Sequence, residues 1–578
     1  MRRRSTPLRC LPYLLVALLV LTSIALALVD DTNTQRDSVE SKQRVSEKKV
    51  DHAPVCDTKQ PVPDECGLVL APSSLPNAGW GIFSLRDRIR GTPLLAGDVV
   101  IQLTDPNVTH AQNIHRMLHD YLWSAEETGG FYEGRVVVSL LPGPGMLANG
   151  LDGNRHNVIP FVPAVDEGGC TRLDSPGAGA FTHYHNYTFF VQKPIAAGNE
   201  VFIDYSADWL KERKQNFVQP ETTVDLRRDL DWLRDHGKCL DNLKGGRSPI
   251  PHAGRGAFAA RPLTKGSIVA PVPVLPIAKR EAMDMTSTKT YNNVIAKKQL
   301  LLNYCLGHPK SSLLFLPYGP MVNLVNHGGK KANVKLQWSS SQLLINSKNQ
   351  SEMTLEDVWA MEQSGLLLEL IAIRDIASDE EVLMDYGDAW AEAWAEHLLS
   401  WKPLPGSETY APSYVQDDAI KSLRLDSELK LHPYPNNVLT SCLYRYTGNV
   451  GKLEAPTATS KTDVVATVQW NMTKGLFQPI NLRPCRVLER RHDKRKGTLF
   501  TVQIHNRFGL PESQRIPKGI VHVVTDLPRR AIRFSDKIFT TDQHLENAFR
   551  HEIGIPEEIF PLKWMDFAKE DKSVLPEF

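Results

Sequence analysis

The chain has 578 residues, 42% of them apolar and 23% charged, and a formal net charge of +1. This is the composition of an ordinary globular protein with room for three or four domains and several cores. The near-neutral balance argues against general nucleic-acid binding, so an acidic partner would have to meet a local patch.

The N-terminus comes first. Arg2, Arg3, Arg4 and Arg9 flank an apolar run from Leu11 to Val29, and Asp30 and Asp31 follow it. That asymmetry fits the positive-inside rule, and a run of about 19 residues just spans a bilayer as a helix. Ala25-Leu26-Ala27 also fits a small-x-small cleavage site. Residues 1–29 are therefore a signal anchor or a cleaved signal peptide, and either places the remainder outside the cytosol, lumenal or extracellular. Residues 30–65 are polar and mixed in charge and read as a stalk. Four sequons, at Asn107, Asn186, Asn349 and Asn471, agree with glycosylation in such a compartment. Of eight cysteines, Cys10 precedes the apolar run. Cys56 and Cys66 are spaced to close a short disulfide loop, and the odd number after the run leaves at least one thiol unpaired. No pair has CxxC spacing, so no metal site is expected.

Folded sequence starts near Cys66 and is duplicated. Phe190 to Trp209 aligns without gaps with Ile371 to Trp390, 181 residues on, and seven of the twenty positions are identical. They are Ile195/Ile376, Ala196/Ala377, Glu200/Glu381, Val201/Val382, Asp204/Asp385, Tyr205/Tyr386 and Trp209/Trp390. Each stretch reads as two strands about a turn, and the second continues through Gly387 into a helix. Upstream, Gly79-Trp80-Gly81 and Gly254-Arg255-Gly256 enter a strand in each copy, and such glycine pairs let backbone approach a ligand closely. Between them lies a third landmark. In the second copy Leu316 to His327 ends in Asn326-His327, with Asn333 beyond. In the first, Pro142 to Asp152 offers Leu151-Asp152, or Asn149-Gly150 if the gap is moved, and either way the histidine is lost. The repeats span 66–212 and 245–402. A helical connector, its helix at Thr222–Gly237, fills 213–244, and 403–578 form a C-terminal β-rich domain ending in a helix around His544–His551. The fold class is α+β. The basic run Arg490–Lys496 reads as a solvated hairpin tip.

Taken in order, the three landmarks resemble the SET-domain protein methyltransferases, the second copy resembling most the branch typified by the Rubisco large-subunit methyltransferase. The layout is also similar to a group of algal proteins of unknown substrate. The resemblance implies two tandem SET-like (β-clip) folds and S-adenosylmethionine as methyl donor, with no metal. It implies that Gly254, Arg255 and Gly256 lie against the cofactor through their backbone, that Asn326 and His327 bind it, and that Tyr386 is catalytic with Asp385 and Glu381 in support. In the first copy Gly79, Gly81, Asp204 and Tyr205 persist, and the copy reads as a degenerate, fold-preserving partner. Gly328-Gly329 stands where the family has serine or cysteine, and the cysteine-rich segment of histone-modifying members is missing. The expected partner is a non-histone protein substrate. The rival expectation is a non-catalytic SET-like scaffold in the lumen or at the cell surface.

Overall fold

The computed structural model describes residues 62–566 apart from 105–117, 119, 125–136, 152–154, 164, 167, 171–177, 183, 206–208, 211–225, 285–297, 346–349, 362–363, 421, 447–463, 478–480, 507–511, 538–544 and 546. The apolar N-terminal run, nearly all of the stalk, Cys10, Cys56, Asn107, Asn349 and His544 lie outside the described residues. Among the described residues no helix is long and apolar enough to cross a membrane.

Each glycine pair opens an antiparallel hairpin. Leu68–Pro72 pairs with Trp80–Ser84 in the first copy, and Leu243–Arg247 pairs with Arg255–Ala259 in the second. The connecting turns share one backbone device. Asn77 and Gly79, like His252 and Gly254, have φ between 59° and 69°, the left-handed region that glycine and asparagine tolerate best. Beyond the hairpins the copies diverge in size. The first keeps small sheets, among them Ile101–Thr104, Val137–Leu140 and Trp123–Ser124. The second builds eight strands around Leu366–Ala372, in which all seven residues are buried between Val334–Trp338 and Ile268–Ile277. Burial on that scale, about 1.5–3 kcal/mol per large apolar side chain, explains why this run of leucines is a central strand.

The two copies share one hydrophobic core. It runs without a break from Leu68 and Ile82 through Val272 and Leu368 to Trp564. The third sheet has its own core around Val502, Phe534 and Val524. Its six strands run in the order Val464–Gln469, Ile520–Pro528, Gly497–Ile504, Leu482–Asp493, Val438–Leu443 and Ile532–Asp536. Arg490 in its basic run sits on the Glu428 carboxylate through two nitrogens, at 2.9 and 2.6 Å, and Arg491 is held by Asp526. Those two charges are structural.

Four expectations change. Among the described residues the connecting helix covers Leu230–His236, because Asp229 caps it by accepting the Trp232 N–H at 2.9 Å while Arg227 bridges back to Asn199. The second fold is under way by Leu243, and Lys238–Cys239 pairs with Leu68–Pro72 of the first copy. Cys66 is bonded to Cys239, 173 positions away, and not to Cys56, and a second disulfide joins Cys442 to Cys485. Cys170 and Cys305 are buried free thiols. The described part of 544–551 is turn and coil, and the tail leaves the third domain altogether. Ile553–Gly554 adds a parallel strand to Leu306–Gly307 of the second copy, and Trp564 is fully buried against Phe315 and Trp338. Residues 403 to about 537 are thus an insertion between the second SET-like fold and its own last strand.

Candidate functional site

Asn326–His327 is a two-residue strand parallel to Leu383–Met384, in register Asn326 to Leu383 and His327 to Met384. That pairing brings the Asn-His dipeptide beside Tyr386. The Tyr386 N–H donates to His327 Nδ1 at 3.0 Å, and the Tyr386 hydroxyl donates to the Val325 carbonyl. Burial pushes the phenol above its ordinary range, with Tyr304 and Glu381 adding to the shift, so it stays protonated. Burial also lowers the His327 imidazole. With Nδ1 accepting a backbone N–H, the neutral ring carries its proton on Nε2. Asp385 is exposed, 3.8 Å from the imidazole, and its carboxylate accepts the Gly387 N–H at 2.9 Å.

Asn326 has a different task from its neighbour. Its amide donates to the Arg255 carbonyl and to Glu381 Oε1, both at 2.9 Å. Glu381 in turn lies against Gly256, where a Cβ would stand 2.2 Å from its Oε1. The glycine is required by that carboxylate. Glu381 is therefore a clasp between the Gly254–Gly256 strand and the Asn-His strand, and Asn333 extends it by donating to the Glu381 carbonyl and accepting from Leu383 N–H, both at 2.8 Å.

The first copy repeats the clasp atom for atom. Asn149 donates to Glu200 Oε1 at 2.9 Å and to the Trp80 carbonyl at 2.8 Å. A Cβ on Gly81 would lie 2.1 Å from Glu200 Oε1. Asn157 donates to the Glu200 carbonyl at 2.9 Å and accepts from Phe202 N–H at 2.8 Å. The Tyr205 hydroxyl donates to the Ala148 carbonyl at 2.8 Å, as Tyr386 does to Val325. The counterpart of Asn326-His327 is thus Asn149-Gly150, not Leu151-Asp152. A Cβ on Gly150 would press to 2.5 Å of the Tyr205 ring, which leaves no place for an imidazole there. Asp204 is exposed like Asp385.

Around Tyr386 opens a cavity of about 60 Å³ at the junction of the two copies. The second copy contributes Arg255, Val325, Asn326, Tyr304 and Trp390. Sequence reasoning missed two of its walls. Ala180, Phe181, Thr182 and His185 come from the first copy, and Phe549 and Ile553 from the C-terminal tail. The first-copy wall is held by Asn303 donating to the Ala180 carbonyl at 2.5 Å and by Thr182 N–H donating to the Tyr304 hydroxyl at 3.0 Å. Phe549 packs on Trp390, Trp394 and His397, successive turns of the helix Asp388–Ser400, and Gly554 N–H donates to the Tyr386 carbonyl at 2.9 Å. The alternation in 545–566 carries no signal of that return, which is set by tertiary packing.

Of the described sequons, Asn471 is exposed, whereas Asn186 is fully buried and donates to the Cys170 carbonyl at 3.0 Å. The folded chain has no space for a glycan on Asn186. The one described grouping of metal-ligand type, Cys66, Cys239 and Asp241, has its two sulfurs joined in the disulfide.

Residues 254–387 match the SET domain family. No curated protein matches the chain. Among solved structures it is similar to a candidate histone methyltransferase of Plasmodium falciparum, at 19% identity over 26% of this chain and 96% of that one, TM-score 0.17. It is also similar to polycomb repressive complex 2 of Chaetomium thermophilum, at 18% identity over 25% and 15% of the two chains, TM-score 0.17. A form of that complex bound to S-adenosylmethionine matches at 18% identity over 27% and 16%, TM-score 0.18. The chain spans about a sixth of the polycomb chains it matches.

Proposed function

We propose, from the premise that residues 254–387 form a SET domain, that this domain transfers a methyl group from S-adenosylmethionine to a lysine amine of a protein substrate. The observation that carries the reading is the convergence of Arg255, Asn326 and the Tyr386 phenol on one cavity although they are distant in sequence, with His327 bonded to the Tyr386 backbone beside it. The residues present suit the donor. Arg255 lies at one side and keeps buried guanidinium donors without partners. When bound, the donor supplies an electrophilic methyl on a sulfonium centre.

The chain's own part is positioning and drying. With its proton committed to Val325, the Tyr386 oxygen has acceptor lone pairs left for the cavity, where they orient an amine N–H or a polarised C–H. A phenol held above its usual range is no general base, so the amine must arrive neutral. A free lysine titrates near about 10.4, and an apolar lining of Val325, Leu306, Met384 and Ile553 favours the uncharged form. His327 keeps the Tyr386 backbone in place through Nδ1. The first copy, with Gly150 in place of the imidazole, serves as a wall and scaffold.

The two disulfides support a body that folds in an oxidising compartment, lumenal or extracellular, behind the N-terminal anchor or signal. A protein substrate met there is not a histone. A second reading, a non-catalytic scaffold, is favoured by the narrowness of the cavity and by the full commitment of the Asn326 amide to Arg255 and Glu381. Calorimetry of the whole chain with S-adenosylmethionine separates the two, since binding is required only by the enzyme. Tyr386→Phe is expected to keep cofactor affinity within about threefold and to lower methyl transfer to lumenal proteins by about 100-fold. Unchanged turnover would remove the phenol from the chemistry.

A further inference from the structure

The strand Val334–Trp338 shows different side chains to the two sides of its sheet. Leu336, opposite Leu370 in the antiparallel pair, lines the cavity around Tyr386. Lys335 and Gln337 stand opposite Ile371 and Glu369, and these four line a second cavity on the other side. Its volume is about 420 Å³, within the range of about 300–1,000 Å³ typical of small-molecule sites. Lys238 joins the lining from the connector and Lys265 from the turn before Ile268–Ile277, so lysines from three elements share it with one carboxylate, Glu369. That carboxylate is already committed. Its side chain is 4% exposed, Lys238 Nζ stands 3.4 Å from Oε1, and Ser339 Oγ donates to the same oxygen at 2.8 Å. Lys265 and Lys335 are exposed and make no ion pair among the described residues. We propose that this cavity binds an oxyanion ester, a phosphate or sulfate group on a body of monosaccharide size, with Lys265 and Lys335 as its charge partners.

The lining decides the class of ligand. Two ammonium charges lack a counter-ion from the fold, Gln337 and Ser340 add neutral donors beside them, and Ile268 and Ile371 supply an apolar floor for a carrier group. Asp375 accepts the Lys265 backbone N–H at 2.7 Å and does not line the cavity. Among the described residues no arginine lines it either, so the planar fork that matches a carboxylate is missing. An ammonium is a compact charge with three rotatable donors, which suits a tetrahedral group whose oxygens are shared between amines. The Lys238–Glu369 pair is structural, tying the connector to the central strand Leu366–Ala372. The cavity lies across the sheet from Tyr386, so the proposal stands whether or not the second copy transfers methyl groups.

The test titrates the full chain by calorimetry with glucose 6-phosphate, glucose 6-sulfate, glucose and hexaglutamate at low ionic strength. At least one ester is expected to bind with a Kd at or below about 1 mM, the tighter of the two naming the source of the oxyanion. Most of that affinity should vanish at about 1 M salt, where charges are screened beyond about 3 Å. Lys265→Gln and Lys335→Gln are each expected to weaken the ester by about fivefold to tenfold. Both side chains are exposed, so the fold should tolerate either change. A readout that needs no variant is lysine acylation followed by mass spectrometry, in which the bound ester slows Lys265 and Lys335 and leaves the exposed Lys430 unchanged. Failure of both esters to bind, or glucose binding as tightly as they do, overturns the proposal. So does an ester whose affinity and lysine protection ignore these two positions. Hexaglutamate binding where both esters fail refutes it in favour of an acidic peptide.

Discussion

The Glu–Gly–Asn clasp invites the same substitution in both copies. Gly256→Ala would put a Cβ 2.2 Å from Glu381 Oε1, 2.9 Å from its Cδ and 3.2 Å from Asn326 Nδ2. Gly81→Ala would put one 2.1 Å from Glu200 Oε1 and 2.6 Å from its Cδ. Neither glycine has a positive φ, so the cost is crowding and not backbone strain. To escape, Glu381 must give up the Asn326 amide, about 1.5–3 kcal/mol for a bond to a charged group. Residual overpacking adds about 1–3 kcal/mol. The expected loss at Gly256 is then about 2.5–6 kcal/mol. Gly81 should cost at least as much, since the buried Glu200 also accepts from Ser73 Oγ and from Ser74 N–H and Oγ. Denaturant unfolding of the full chain, followed by tryptophan fluorescence, reads both losses. Adding Glu381→Asp to Gly256→Ala shortens the crowded side chain and should recover part of the loss in a double-mutant cycle. Cofactor affinity separates the copies, with Gly256→Ala weakening it more than about tenfold and Gly81→Ala leaving it within about threefold. Wild-type stability of Gly256→Ala would refute the clasp, and equal loss of affinity in both variants would refute the division of labour.

Further outcomes follow from the same structure. Reduction or Cys239→Ser opens a loop of 173 residues' separation, and loop-closure entropy puts the loss at about 5 kcal/mol, against about 4 kcal/mol for Cys442–Cys485; a melting midpoint indifferent to reductant would contradict it. Trp564→Ala should cost about 3–5 kcal/mol and destabilise the second SET-like fold despite lying beyond the third domain, and melting of that fold at the wild-type midpoint would show the tail to be dispensable. Asp536 is buried under the Tyr184 hydroxyl at 2.7 Å and Ser413, and burial raises it to about 6. A carboxyl raised above its unfolded value binds more protons folded than unfolded, so its contribution grows as pH falls from about 7 to 5. The stability difference between wild type and Asp536→Asn should therefore widen by about 1 kcal/mol in favour of wild type over that range, and a pH-independent difference would show that Asp536 does not titrate there.

What the sequence disclosed and what it hid follow from the range of the interactions concerned. The duplicated Ile-Ala and Glu-Val…Asp-Tyr pattern is legible because each copy repeats a local device. The turn at Asp379, with φ of 66°, is the one Gly198 makes at 87°, and Glu200 and Glu381 recur because each lies against a glycine of the strand it bridges to. The placement of one gap was not legible, since Asn149-Gly150 and Leu151-Asp152 differ only in which pair lies parallel to Phe202–Ile203. A two-residue strand has no periodicity to read. Hidden altogether were contacts made across domains: Cys66 with Cys239, Asp166 with Arg255, and Phe549 on Trp390. Each joins residues whose own neighbours in sequence would be satisfied elsewhere.

Two of those hidden contacts, Asp166 with Arg255 and Phe549 on Trp390, run into the second copy's cavity from outside it. A SET domain read alone from 254 to 387 would lack the Phe181 and Thr182 wall, the Asp166 carboxylate, the Phe549 ring and the Ile553–Gly554 strand. It would expose Tyr304 to water and leave the Arg255 charge without its counter-ion, a cost of about 3–5 kcal/mol when one member of such a pair is removed. The first copy and the tail close the second copy's cavity, which residues 254–387 do not enclose by themselves. The contacts described across the junction, from Ala180, Thr182 and Asp166, are made by other residues than Gly150, which stands where the second copy has its imidazole.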